Sequence, residues 1–238
     1  MDTISAALAA ARHTRINTGL LADLEKRTLV WMAHRLPSWV HSDHLSALGL
    51  AGMVGVGTAF AVGGTYSWAL PLVCPALAIN WFGDSLDGTL ARVRNQQRPR
   101  YGYYVDHVLD LLGTAVLFAG LTLGGHITPA IGIMLIAAYF AVTAEVFLAT
   151  AARGAFRMSF AGFGPTELRV VLGVGALALM RDPQVTVPGL GTFPLFDVGG
   201  VVAVAGMVAA FIVSSLVNGR ALYMEEPLPP RRQKVATW

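Results

Sequence analysis

The sequence predicts an all-α integral membrane protein with six transmembrane helices and an N-terminal amphipathic interfacial helix. Of the 238 residues, 55% are hydrophobic and only 13% are charged, which is typical of membrane proteins. The apolar residues are collected in six long stretches, each close to or above the roughly 20 residues that cross about 30 Å of hydrocarbon. These stretches are roughly 45–64, 66–91, 103–124, 127–151, 166–181 and 193–217, and the fifth is the shortest.

The distribution of basic residues predicts the orientation. With six spans, all but one of the 17 Lys and Arg residues fall on one side of the membrane, and only Arg181 falls on the other. By the positive-inside rule, that side is the cytoplasm, so both termini are cytoplasmic. An odd number of spans would destroy this bias, so the span count and the orientation support each other. Because the bias accounts for the net charge of +3, we expect no nucleic-acid partner.

Three parts follow along the chain. Residues 1–40 are a cytoplasmic or interfacial segment, in which apolar residues recur every three or four positions, as in an amphipathic helix. Trp31 and Trp39 fit anchoring among lipid headgroups, although a helix that only packs on the bundle or on a dimer partner explains the pattern equally well. Residues 41–220 form the membrane domain, and 221–238 form a basic cytoplasmic tail.

Two aspartates lie near the cytoplasmic end of the second span. At about 100° per residue, Asp84 and Asp87 share one helix face with Gly88 and Ala91, and Arg92 lies at the edge of that face. The stripe therefore combines two carboxylates with two positions that have almost no side chain. This leaves room for a bulky ligand against the backbone.

The start of the third span repeats this design. Asp106 and Asp110 share one helix face with Gly102 and Gly113. The polar connection between the two spans is about nine residues long and is sufficient for a short turn that brings the helices side by side. If their acidic faces meet, four carboxylates converge just below the cytoplasmic surface.

Four converging carboxylates need a compensating positive charge, since each costs roughly 2.5 to 3.5 kcal/mol near mid-membrane. Neighbouring arginines could form structural ion pairs, but they are fewer and better placed to reach lipid headgroups. Hard divalent cations suit carboxylate oxygens, and two ions bridged by shared aspartates would form a clamp for phosphoryl chemistry. The residues therefore predict two Mg²⁺ or Mn²⁺ ions. A salt-bridge cluster and a divalent-cation transporter that uses the same carboxylates remain alternatives.

The pattern Asp84-x2-Asp87-Gly88-x2-Ala91-Arg92-x9-Gly102-x3-Asp106-x3-Asp110 resembles the signature of the CDP-alcohol phosphotransferases, or CDP-alcohol phosphatidyltransferases, which are membrane enzymes of phospholipid biosynthesis. The resemblance implies a six-helix catalytic bundle, commonly a homodimer, with an active site that faces the cytoplasm. A CDP-linked donor, CDP-diacylglycerol or a CDP-aminoalcohol, would transfer its phosphatidyl or phosphoalcohol group to the hydroxyl of an alcohol or lipid acceptor. CMP would be released.

The resemblance also implies roles for individual residues. The implied metal ligands are Asp84, Asp87, Asp106 and Asp110. The implied nucleotide-binding positions are Gly88, Ala91, Arg92 and Gly102. Asp110 would in addition be the catalytic general base, and an aspartate one helical turn beyond the other ligands is well placed to take the acceptor proton.

Other polar residues are candidates for the same site. Asn80, one turn before the first aspartate, could contact the nucleotide or form an interhelical hydrogen bond. Glu145 is an acid within the fourth span, where a contact with the acceptor and a structural pair with a neighbouring helix are both open. Arg153, Arg157 and Arg169 could hold an acceptor or donor phosphate, but the positive-inside bias explains them as well.

Overall fold

The structure, a computed structural model, describes residues 22–153, 165–226 and 228. In this part of the chain, the α-helices are α1 (Ala22–Arg35), α2 (Ser42–Gly63), α3 (Val73–Val93), α4 (Pro99–Leu123), α5 (Pro129–Arg153), α6 (Pro165–Arg181) and α7 (Leu195–Glu225). A 3-10 helix, Ser67–Leu72, leads into α3. Between α6 and α7, strand β1 (Gln184–Val187) pairs with β2 (Gly191–Pro194) in an antiparallel hairpin.

Five helical segments in the described residues have the length and composition of membrane spans. They are α2, the 3-10 helix continued by α3, α4, α5 and α7, and each coincides with one of the predicted apolar stretches. Helix α6 has 17 residues and is shorter than a typical span. The structure is therefore that of a mostly helical, multi-pass integral membrane protein.

Helix α2 is the centre of the bundle and packs against both α3 and α4. Glycines make these contacts very close. A Cβ atom on Gly52 would lie 2.5 Å from the backbone nitrogen of Asn80 in α3, and one on Gly57 would lie 2.6 Å from the carbonyl oxygen of Val116 in α4. Small residues allow helix backbones to approach in this way, so the glycines of α2 set the distance to both neighbours.

The two aspartate-bearing helices, α3 and α4, are not a closely packed pair. This corrects the prediction that a short turn brings them side by side. The physical reason is that each helix is held by the close glycine contacts with α2. The acidic helices therefore share a neighbour and leave space between themselves.

Helix α1 packs on the membrane bundle. Its Leu29 and Ala33 are buried in an apolar cluster with Leu86 of α3. The indole Nε1–H of Trp81 also donates a hydrogen bond to the Glu25 carboxylate at 2.8 Å. Contact with the bundle was part of the second interpretation given above, whereas Trp31 and Trp39 are exposed, as headgroup anchoring would require. The part of that segment before residue 22 lies outside the described residues.

Arginines fix the connections at this end of the bundle. The guanidinium of Arg94 donates to the carbonyl oxygens of Leu36 at 2.8 Å and Pro37 at 2.9 Å, which follow the end of α1. Arg98, just before α4, forms a half-exposed ion pair with Asp43 in the first turn of α2. These contacts hold the start of α2 against the loop between the two acidic helices.

The opposite end of the bundle has its own polar contacts. Asp197, buried in the first turn of α7, accepts a hydrogen bond at 2.7 Å from the backbone N–H of Thr128, just before α5. The Nε2–H of His126 donates to the carbonyl oxygen of Phe60 at 2.9 Å, and burial lowers the pKa of this imidazole. In the hairpin, Gly189 and Gly191 have φ angles of 81° and 118°, so the turn requires glycine. The prediction of an all-α chain did not include this hairpin.

Candidate active site

The carboxylate of Asp87 is held in place from two directions. The hydroxyl of Ser46, in the second turn of α2, donates to one oxygen at 2.6 Å. The other oxygen accepts a hydrogen bond from the backbone N–H of Gly88. These two hydrogen bonds orient the Asp87 carboxylate on the side of α3 that borders α2.

Asp87 lies within electrostatic range of both halves of the acidic motif. The charges of Asp84, on the same helix, and of Asp106, on α4, both act on this carboxylate. The side chain of Asp84 is 24% exposed and that of Asp106 is 29% exposed, so both can be reached from outside. The structure thus brings these three predicted ligands into one electrostatic environment.

Asp110 is linked to this group through α5. The phenol of Tyr139 lies within electrostatic range of both Asp110 and Asp84. Tyr139 is therefore influenced by the charges of aspartates from both halves of the motif. Neither spacing nor composition marked it as a site residue, because it lies in an ordinary apolar stretch of the fifth helix.

An arginine from α6 enters the site. The Nε–H of Arg169 donates to the Asn80 side-chain oxygen at 2.7 Å, and its Nη2 lies 2.5 Å from a carboxylate oxygen of Asp84. The Asn80 amide nitrogen donates to the carbonyl oxygen of Gly49 at 2.9 Å, which is the interhelical hydrogen bond considered above. Arg169, which comes from α6 and is not one of the arginines that flank the acidic motif, therefore compensates one of the four aspartates directly.

The donor set suits a hard divalent cation, because the aspartates offer only carboxylate oxygens and repel one another without positive charge. As the side chains lie, however, no three His, Cys, Asp or Glu residues in the described ranges are grouped closely enough to hold a metal ion. The chemistry of these four aspartates fits a divalent metal ion, and the metal site itself stays a prediction.

The predicted nucleotide positions border open space. A Cβ atom on Gly102 would meet nothing within 4 Å, and one on Gly88 would meet only the guanidinium of Arg92, at 3.4 Å. That guanidinium lies back along α3, where its Nη2 donates to the Thr89 hydroxyl at 3.0 Å. Ala91 is partly buried one turn further along the same helix. Open space therefore borders Gly88 and Gly102, and the Arg92 side chain lies at the edge of the space beside Gly88. That this space receives a nucleotide stays a prediction.

Two of the remaining candidates, Glu145 and Arg153, lie where α5 meets α7. Glu145 is buried and accepts hydrogen bonds from the Ser214 hydroxyl at 2.6 Å and the Asn218 amide at 2.8 Å, which is the structural pairing considered above. Arg153 donates to the Asn218 side-chain oxygen at 2.7 Å. The structure thus joins these two candidates to α7. Arg157 lies outside the described residues.

Sequence reasoning did not identify Ser46 or Tyr139. Both are ordinary residues of apolar helices, and their relevance follows only from the register of α2 and α5 against the acidic helices. A serine near the start of a span has many structural explanations, so no pattern in the sequence could have distinguished Ser46.

Comparison with known proteins identifies a family. A family model described as CDP-alcohol phosphatidyltransferase matches residues 39–216, which include α2 through most of α7. No individual curated protein matched the chain at a significant level. The match covers every residue proposed for the acidic site and begins after α1.

Proposed function

Because this chain belongs to the CDP-alcohol phosphatidyltransferase family, we propose that it acts in phospholipid biosynthesis as a metal-dependent transferase. Membership implies transfer of a phosphoalcohol group from a CDP-alcohol to an acceptor alcohol. The finer proposal is that either CDP-diacylglycerol or a CDP-aminoalcohol serves as donor, that an alcohol or lipid hydroxyl is the acceptor, and that CMP is the leaving group.

One observation supports this proposal most strongly. Asp87, fixed by Ser46, lies within electrostatic range of aspartates from both α3 and α4. Open space borders Gly88 and Gly102 on the same two helices. Carboxylates beside open space suit a pyrophosphate whose negative charge is neutralised by bound cations, because phosphoryl transfer depends mainly on positioning and charge neutralisation.

In the proposed reaction, the side chain of Asp110 accepts the proton of the acceptor hydroxyl. The freed oxygen attacks the phosphorus that carries the alcohol group, a new P–O bond forms, and the P–O bond to CMP breaks. CMP leaves with the bonding electron pair. The guanidinium of Arg92 borders the open space beside Gly88. A change of rotamer would release its hydrogen bond to Thr89 and allow it to bind the nucleotide.

Asp84, Asp87, Asp106 and Asp110 would hold two divalent ions. When bound, these ions would neutralise the phosphate oxygens that gain charge during transfer. The protein's own contribution is to orient the carboxylates, as the hydrogen bonds from Ser46 and Gly88 do for Asp87.

The proposed topology has six spans, with both termini and the acidic site on the cytoplasmic side. Helix α6 supplies the span that length alone does not identify. It exposes apolar side chains such as Val170, Val174 and Leu177 while burying Leu172 and Ala176, as expected for a helix with lipid on one side and protein on the other. A homodimer is proposed on family resemblance alone.

The test is CMP release by purified protein. The protein would be incubated with CDP-diacylglycerol and small polar alcohols, and separately with CDP-aminoalcohols and diacylglycerol, each with Mg²⁺, with Mn²⁺ or with a chelator. We expect metal-dependent CMP release with one donor class. The class that reacts identifies the donor.

The matched control is Asp87→Asn, which keeps the shape of the side chain but removes its charge. CMP release that is equal in this variant and the wild type, or absent with every donor, would contradict the proposal.

The family match gives no support to the alternative of divalent-cation transport by the same carboxylates.

A further inference from the structure

Arg169 holds two groups at once. Its guanidinium bonds through Nε to the Asn80 side-chain oxygen and through Nη2 to Asp84. The Arg169 side chain is only 14% exposed, so this ion pair is largely shielded from solvent. A planar guanidinium that spans two acceptors in this way is a specific arrangement, which a point charge would not reproduce.

The position of this guanidinium is also the position where positive charge is needed. Asp84 lies in a group of mutually repelling carboxylates, and a partly buried carboxylate without a counter-ion is costly. A divalent ion bound to Asp84 and a guanidinium bound to the same oxygen would repel each other at close range. Both cannot use Asp84 fully at the same time.

We propose that Arg169 is a built-in counter-ion that competes with the divalent cation for Asp84. In the metal-free protein, Arg169 neutralises the negative charge of Asp84. Metal binding displaces the guanidinium, which Asn80 still retains near the site. The inference rests on the proposed function, because it assumes that these aspartates bind a divalent ion.

The test measures Mn²⁺ binding directly, without donor or acceptor. Free Mn²⁺ would be titrated by electron paramagnetic resonance against wild-type protein and Arg169→Gln in detergent. We expect the variant to bind Mn²⁺ about tenfold more tightly, which is a typical size for the coupling between two competing ligands. Arg169→Lys keeps the positive charge but cannot bond Asn80 and Asp84 through two nitrogens of one planar group. We therefore expect a smaller gain in Mn²⁺ affinity.

Arg98→Gln is the matched control for loss of one positive charge. Arg98 also pairs with an aspartate, Asp43, but this pair is half-exposed and Asp43 is not one of the four aspartates of the motif. Mn²⁺ affinity in this variant should stay within about twofold of the wild type, since exposed charges are screened. An equal gain in Arg98→Gln and Arg169→Gln would show a general charge effect and overturn the proposal.

The same competition must appear in thermal stability. With a chelator, Arg169→Gln should melt below the wild type, because Asp84 loses its counter-ion. Saturating Mn²⁺ should narrow that difference, since the ion replaces the guanidinium. Unchanged or weaker Mn²⁺ binding in Arg169→Gln, or a difference in melting temperature that Mn²⁺ does not alter, would overturn the inference.

Failure of the proposed function has a different signature. Protein that releases no CMP from either donor class, yet binds Mn²⁺ more tightly as Arg169→Gln, contradicts the proposed reaction and supports the competition. Protein that binds no Mn²⁺ in either form contradicts the competition whatever the reaction.

Discussion

At the scale of single residues, Asp110 carries the most specific chemical assignment. If it is the general base, Asp110→Asn should lower kcat for CMP release by about 10² to 10⁴, because that is the usual contribution of a positioned acid or base. The donor should still bind, since Asp84 and Asp87 on α3 are intact. Steady-state CMP release over a range of donor concentrations separates kcat from KM.

The control for this substitution is Asp182→Asn. Asp182 accepts a hydrogen bond from the backbone N–H of Gln184 at 3.0 Å, near the hairpin at the opposite end of the bundle. An asparagine can accept the same bond, so activity should stay at the wild-type level. Wild-type kcat in Asp110→Asn would remove this residue as the base.

Ser46 makes a second residue-scale prediction. Ser46→Ala removes a hydrogen bond to the Asp87 carboxylate, and such bonds to charged groups contribute about 1.5 to 3 kcal/mol. We expect Asp87 to be less well oriented, so the metal concentration for half-maximal CMP release should rise by about tenfold or more. A titration of activity against Mg²⁺ measures this change.

Ser38→Ala serves as the comparison, because Ser38 is exposed in the connection between α1 and α2. A Mg²⁺ dependence that is the same in Ser46→Ala, Ser38→Ala and wild type would show that Ser46 does not orient Asp87 for metal binding.

The sequence allowed much of the acidic site to be predicted, because helical periodicity alone places Asp84 and Asp87 on one face. It could not reveal what those carboxylates contact. Arg169 is 85 residues from Asp84 along the chain and reaches it only through the register of α6 against α3. Sequence patterns report neighbours within one helix, whereas contacts between helices depend on tertiary structure.

At the scale of elements, the predicted apolar stretches agree with the observed helices because hydrophobic length is a strong constraint in a membrane. The arrangement of α3 and α4 was predicted less well. A short loop limits the distance between two helix ends, but it does not decide which helix each one packs on. Here the glycines of α2 determine the packing, because they allow the backbone of α2 to lie close to both α3 and α4.

Gly52 provides the test of this element-scale argument. In Gly52→Ala, the new Cβ would lie 2.5 Å from the Asn80 backbone nitrogen, so α2 and α3 must move apart. Overpacking of this kind costs about 1 to 3 kcal/mol. We expect the variant to melt at a lower temperature than the wild type in detergent. Tryptophan fluorescence during heating measures the melting temperature.

Gly206→Ala is the matched variant in α7, where a Cβ would meet nothing within 4 Å. It should melt like the wild type. If both variants melt alike, the close approach of α2 and α3 does not contribute to stability.

At the scale of the whole molecule, polar contacts sort the helix ends into two groups. Arg169 in the early part of α6 meets Asp84 in the later part of α3, while Thr128 before α5 meets Asp197 at the start of α7. Helix α6 therefore begins beside the acidic site and leads, through the hairpin, to the opposite end. This path is what a sixth span requires, although α6 is only about 26 Å long at 1.5 Å per residue.

Cysteine labelling tests the topology. In a Cys74→Ser background, which removes the only cysteine, single cysteines would replace Tyr66, Gln96 and Leu190, all of which are exposed in connections between helices. A membrane-impermeant maleimide should label Tyr66→Cys and Leu190→Cys in intact cells, and Gln96→Cys only after permeabilisation. The prediction follows because six spans place the connections after α2 and α6 outside the cytoplasm and the connection after α3 inside. Leu190→Cys is the informative position: if it labels only after permeabilisation while Tyr66→Cys labels from outside, α6 does not cross the membrane and the bundle has an odd number of spans.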